Sequence, residues 1–181
     1  VQLNADRVGS VYVFTESGGT WSQQQKLSPS DGTVGDRFGE SVAVSGDGTT
    51  ALIGAEDDEE DPNGALARSA YVFTESGGTW SQQQKLTPTD VDSADEFGQS
   101  VAVSSDGTTA LIGDPADATP NGAFAGSTSV FTQSDGTWSQ QQKLTPTDGD
   151  IDNVFGSSVA VSSNGTTALI GAFRDDDPNG E

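Results

Sequence analysis

The chain has 181 residues, enough for one domain with a sizeable core, yet only 31% of it is hydrophobic and no apolar run reaches membrane-spanning length. Its 28 acidic and 7 basic residues give a net charge of −21, a surface that repels nucleic acid and anionic membranes and argues against any phosphate-binding role. Histidine and cysteine are absent, which removes the commonest general base, the thiol nucleophile, disulfides and thiolate metal sites. Concentrated salt would screen the self-repulsion of so acidic a fold, so the charge predicts a halophilic source. Methionine is also absent, even at position 1, which reads as a processed or excised chain from which any signal peptide is gone.

In chain order, residues 1–37 carry the second half of a repeating unit, with VYVF over Val11 to Phe14 and TWSQQQKL from Thr20. Residues 38–96 form a whole repeat, residues 97–154 a second, and residues 155–181 the first half of another. FGESVAVSGDGTTALIGA from Phe38 returns as FGQSVAVSSDGTTALIGD from Phe97 and FGSSVAVSSNGTTALIGA from Phe155. Those phenylalanines lie 59 and 58 residues apart, and TWSQQQKL recurs from Thr79 and Thr137 on the same beat. A fixed period of this length dictates a repeat architecture.

Four strands are expected per repeat: Ser41 to Ser45, Thr49 to Gly54, Ser69 to Thr74 and Thr79 to Leu86 in the first. Asp47-Gly48 between the first two, repeated as Asp106-Gly107 and Asn164-Gly165, predicts a two-residue hairpin with both turn residues at positive φ. Ser76-Gly77-Gly78 turns the third strand into the fourth. The expectation is an all-β protein of β-propeller blades: three four-stranded antiparallel repeats of about 59 residues, circularly permuted. A β-sandwich of hairpins is the weaker alternative. Phe97 is expected to wedge between blades, with Gly98 allowing close backbone approach. Three blades are too few to close, since propellers have about four to eight. The N-terminal strands are therefore expected to complete, between chains, the blade that the C-terminal strands begin. Two chains would close a six-bladed ring; a join that does not close would give a filament.

These residues carry a family resemblance. FG…SVAVS, DGTTALIGA, an acidic loop with Asn-Gly and a YVF strand resemble the FG-GAP repeats of integrin α-chain propellers, and still more the FG-GAP arrays of bacterial and archaeal surface proteins. The resemblance spans essentially the whole chain. It implies an extracellular or cell-surface propeller active in adhesion or ligand binding, with calcium in some blades. The family's calcium loop, Asp-x-Asn-x-Asp-Gly, is not kept. Ser45-Gly46-Asp47-Gly48, Ser104-Ser105-Asp106-Gly107 and Ser162-Ser163-Asn164-Gly165 each supply one carboxylate at most, against the roughly six to eight oxygens calcium takes.

The remaining acidic loops hold the cation candidates. Asp57, Asp58 and Asp61 in one repeat and Asp175, Asp176 and Asp177 in another could ligate calcium; the first reading of them, and of the weakly acidic Asp114 to Asp117 counterpart, is a solvated, salt-adapted surface. Asp31 and Asp36, then Asp90, Asp92, Asp95 and Glu96, then Asp148, Asp150 and Asp152 also read as exposed loops. Asn164-Gly165-Thr166 is an N-glycosylation sequon at a hairpin tip, where turn chemistry alone also explains the asparagine. Trp21, Trp80 and Trp138 read as packing residues, with a sugar-stacking surface as the alternative. The Gln triplets read as polar positions on an outer strand, and Lys26, Lys85 and Lys143 share one repeat position and hence one structural role. Paired carboxylates could hydrolyse glycosides, but nothing distinguishes any pair, and no enzyme activity is expected. The functional expectation is an extracellular structural or adhesive module that assembles with itself; a carbohydrate- or protein-binding propeller is the alternative. The loops after the second strand (EDDEEDPNGALA, DPADATPNGAFA, FRDDDPNGE) break the repeat as a ligand site would, whereas WSQQQKL is unchanged in all three copies.

Overall fold

A computed structural model describes residues 8–55, 68–90 and 95–176. Its twelve strands are β1 (Val11–Ser17), β2 (Thr20–Leu27), β3 (Val42–Val44), β4 (Thr50–Ala55), β5 (Ser69–Ser76), β6 (Thr79–Leu86), β7 (Ser100–Val103), β8 (Thr109–Asp114), β9 (Ser127–Ser134), β10 (Thr137–Leu144), β11 (Ser158–Val161) and β12 (Ala168–Gly171). They form two four-stranded antiparallel sheets, β3-β4-β5-β6 (blade 1) and β7-β8-β9-β10 (blade 2), and two two-stranded sheets, β1-β2 and β11-β12. The latter are half-blades: β1-β2 leads blade 1, and β11-β12 trails blade 2. First strands of successive blades pack together, β3 on β7 and β7 on β11.

Blade faces are covered on both sides, which explains why Ala-Leu-Ile-Gly is a continuous apolar run rather than an alternating one. Leu52 of β4 packs in a core with Val72 and Leu86 of blade 1 and Phe97, Ile112 and Trp138 of blade 2. Its neighbour Ile53 turns the other way, into a core with Phe38, Phe73 and Leu27 of the leading half-blade. Each such side chain stabilises by roughly 1.5–3 kcal/mol when removed from water. The expected phenylalanine wedge is present: Phe97 is buried and meets Phe131 edge-to-face at 6.2 Å. Gly98 takes φ +96°, and a Cβ added at Gly54 would overlap the Gly98 carbonyl oxygen. Phe-Gly and Leu-Ile-Gly are therefore the two sides of one close contact between blades.

The hairpins differ from expectation. The Asp47-Gly48 turn is not a two-residue loop. Gly48 has φ +74° and donates to the Ser45 carbonyl at 2.9 Å, but Asp47 stays out of the left-handed region. Instead the Asp47 carboxylate accepts from Ser45 Oγ, the Thr49 N–H and Thr49 Oγ1, the last two at 3.0 and 2.9 Å, an Asx arrangement that replaces a backbone turn. The two-residue hairpins join third to fourth strands: Gly77 and Gly78 have φ +60° and +85°, and Asp135 and Gly136 have +51° and +81°.

Candidate functional site

The repeated polar residues of TWSQQQKL join the blades. A bulge skips the middle glutamine of each triplet, because Val72 pairs with Gln84 and Phe73 with Gln82, and β1-β2 and β9-β10 do the same. The third glutamine then grips the next blade. Gln25 donates to the Trp80 carbonyl and accepts from the Trp80 N–H, both at 2.8 Å. Gln84 makes the same pair with Trp138, both at 2.9 Å. The first glutamine closes the contact from the other side, accepting the Ser30 N–H at Gln82 and the Thr89 N–H at Gln140. Gln25, Gln82, Gln84 and Gln140, expected as polar outer-strand positions, therefore also tie successive blades together.

The lysines share a role. Lys85 reaches back to Asp31 at 3.0 Å, and Lys143 to Asp90 at 2.8 Å and also to Asp117. Burial works against the Lys143 ammonium, but hydrogen bonds to Asp117 and Asp90 outweigh it and hold its pKa above the ordinary lysine value. For Asp31, burial is likewise outweighed by Lys85, and the pKa falls.

Several carboxylates expected on the surface are buried. Asp36 is sealed because Thr33 donates to it from both its N–H and its hydroxyl. Asp95, Asp114 and Asp117 are buried close to one another at the end of β8. Asp114 accepts the Glu96 N–H at 2.7 Å, yet burial, reinforced by the charges of Asp95 and Asp117, pushes its pKa up to about 8. Burial therefore favours its protonated form near neutral pH, and it is not a solvated carboxylate.

The calcium candidates fare as follows. Asp57, Asp58, Asp61 and Asp177 lie outside the described residues. Asp175 accepts from Asn153 Nδ2 at 2.8 Å, and Asp176 is exposed. In the corresponding loop of blade 2 the positive charge beside Asp117 is the Lys143 ammonium. At the first hairpins protein donors converge on one carboxylate oxygen of Asp47 and of Asp106, and each turn supplies a single carboxylate, so these turns do not fit calcium. Among the described residues no three acidic, His or Cys side chains are placed to hold a metal. Asn164 sits exposed at its hairpin tip, its Oδ1 accepting from Ser162, the Thr166 N–H and the Thr166 hydroxyl, the same part that Asp47 plays. The tryptophans are not one surface: Trp138 is buried in the core between blades, Trp80 half-buried, and Trp21 68% exposed.

That gradient follows the half-blades. Leu52 and Leu111 are each 1% exposed, but Leu169 at the same position of β12 is 71% exposed; Tyr71 is 0% and Tyr12 of β1 is 51%. Among the described residues, one edge of β1 and one edge of β12 have no strand beside them.

Antiparallel four-stranded sheets stacked face to face, each locked to the next by Phe-Gly and by an outer-strand clamp, define a β-propeller segment. The chain belongs to the FG-GAP repeat family, whose pattern matches residues 21–73, 80–131 and 138–181. Among solved structures, TolB from Acinetobacter baumannii is similar with a TM-score of 0.44 and 14% identity, over 88% of this chain and 31% of that one. The chain thus spans about a third of that protein's length. No curated protein sequence matches the chain. No helix among the described residues is long and apolar enough to cross a membrane.

Proposed function

We propose that this FG-GAP propeller segment is a non-catalytic structural or adhesive module displayed outside a salt-adapted microbial cell, and that its working form is an assembly of copies joined through shared blades. The single observation that carries the reading is the exposure of Leu169 on β12 and of Tyr12 on β1, at positions that are buried in the complete blades. Each half-blade presents the apolar edge that the other lacks. Unpaired sheet edges of this kind are templates for pairing, and a head-to-tail contact between them closes as a six-bladed ring of two chains or runs on as a filament. The net charge of −21 supports a working environment of concentrated salt, where such chains can approach one another. A glycan- or protein-binding role on the loop face is favoured by one feature only, the variation of the loops after the second strand.

Light scattering or mass photometry in high salt tests this directly. A particle of twice 18.5 kDa supports the ring, and a broad distribution of much larger particles supports the filament. A single-chain mass at every concentration and salt level overturns assembly and leaves the binding role.

A further inference from the structure

We propose that β12 pairs antiparallel with β1 of a second copy of this chain, Thr167 opposite that copy's Thr15 and Leu169 opposite its Val13. The inference rests on the shared-blade reading and adds the partner strand, its register and the contacts that select it.

The register follows from the complete blades. Blade 1 sets Thr50 opposite Thr74 and Leu52 opposite Val72, and blade 2 sets Thr109 opposite Thr132 and Leu111 opposite Val130. Thr167 and Leu169, like Thr15 and Val13, occupy these same repeat positions. A slip of one residue would swing Leu169 to the wrong face of the blade.

The second copy has a seat for Leu169. Between its leading half-blade and its blade 1 lies an apolar groove of about 250 Å³ lined by Val13, Val42, Val44, Ala51 and Trp80 among others. Val42 and Val44 are exposed there, whereas their equivalents Val101 and Val103 pack on the core that receives Leu52. Leu169 is the side chain missing from that groove, as Leu52 is the side chain that fills the corresponding one.

The outer strand repeats the argument in polar terms. Gln142 stands where Gln25 and Gln84 clamp the next tryptophan, and Asp148 where Asp31 and Asp90 hold the next lysine; both are exposed. The matching groups, the Trp21 backbone and the Lys26 ammonium, lie on the exposed β2 of the incoming hairpin. Lys26 already lies over the Tyr12 ring at 5.6 Å, as Lys85 lies over Tyr71 at 5.5 Å, so it is held in the pose that reaches an aspartate. Apolar knob, amide clamp and ion pair all fit the same occupant, the β1-β2 hairpin of a second copy, whose apolar groove and Lys26 are exposed.

The absence of cysteine makes the pairing testable by disulfide trapping. The Glu75 N–H bonds the Thr49 carbonyl at 2.8 Å and the Gln133 N–H bonds that of Thr108 at 2.9 Å, which makes Thr50–Thr74 and Thr109–Thr132 non-hydrogen-bonded pairs. Such pairs bring Cα atoms to about 4.5 Å, within disulfide range. Under mild oxidation in high salt, the full chain carrying Thr15→Cys and Thr167→Cys is expected to form disulfides between chains, while Ser17→Cys with Thr167→Cys, out of register, is not. Leu169→Asp, at a site exposed in the single chain, is expected to lower the assembled fraction at least tenfold with unchanged circular dichroism. A disulfide within one chain, or trapping by the out-of-register pair instead, overturns the proposal. Multi-chain particles of the unaltered protein without any Thr15–Thr167 disulfide overturn the register alone and leave shared blades standing. Single-chain particles without disulfides overturn both.

Discussion

Asp114 stands where the sister repeats carry Ala55 and Ala172, and its environment makes it the one side chain tied most directly to pH. It is buried, bonded to the Glu96 N–H, and faced by the carboxylates of Asp95 and Asp117 and by the Lys143 ammonium. Its pKa of about 8 lies above the ordinary 3.8, so the folded state holds a proton that the unfolded chain has released. Stability from this carboxyl is therefore full below about pH 4, declines as the pH rises, and is lost once the pH passes about 8. Asp114→Asn keeps a neutral acceptor for Glu96 and removes the titration. The variant is expected to gain in melting temperature over the parent as pH rises from about 5 to 8, with a constant gap above that. A gap independent of pH would contradict the assignment. Nothing in the one-dimensional pattern revealed this, because Asp114 ends an Ala-Leu-Ile-Gly run and begins an acidic loop. Its burial depends on the 95–98 segment folding back over it, with Glu96 donating from eighteen residues away.

The three outer strands have identical sequence and unequal surroundings. In blade 1, Gln84 makes two hydrogen bonds to Trp138; at about 0.5–1.5 kcal/mol each, Gln84→Ala should cost roughly 1–3 kcal/mol in urea unfolding. Gln142→Ala, at the same repeat position on β10, should leave an isolated chain unchanged and weaken only an assembled one. Equal losses at both positions would show that the clamp contributes nothing across blades. The strands themselves were legible, since the runs at Thr20, Thr79 and Thr137 are bounded by turn residues and all three are strands. The clamps were not. A bulge at Gln24, Gln83 and Gln141 decides which glutamines face the neighbouring blade, and a bulge leaves no mark in an uninterrupted QQQ. The first hairpins were misread for a related reason: Asp-Gly is compatible with a type I′ turn, but three donors converging on the Asp47 carboxylate favour the longer loop.

The whole molecule must hold a net charge of −21 in a compact form. Raising KCl from about 0.1 M to about 2 M shrinks the screening length from roughly 10 Å to a few ångströms, so the melting temperature should rise over that range. The Lys85–Asp31 and Lys143–Asp90 pairs are partly exposed and should cost little when screened, and Lys143–Asp117, whose carboxylate is buried, is screened much less. A melting temperature that falls with salt would remove the argument for a halophilic setting. Family, strand count, period and the Phe-Gly wedge were determined by the sequence alone, because a repeat states the same local pairings several times and each copy checks the others. The tertiary structure decided which carboxylates leave water, which glutamines clamp, and which of three equivalent leucines is left exposed. Those outcomes depend on a segment laid against Asp114 from eighteen residues away, on a bulge at Gln83 and on the strands packed beside each leucine, contacts that a repeated local sequence does not record.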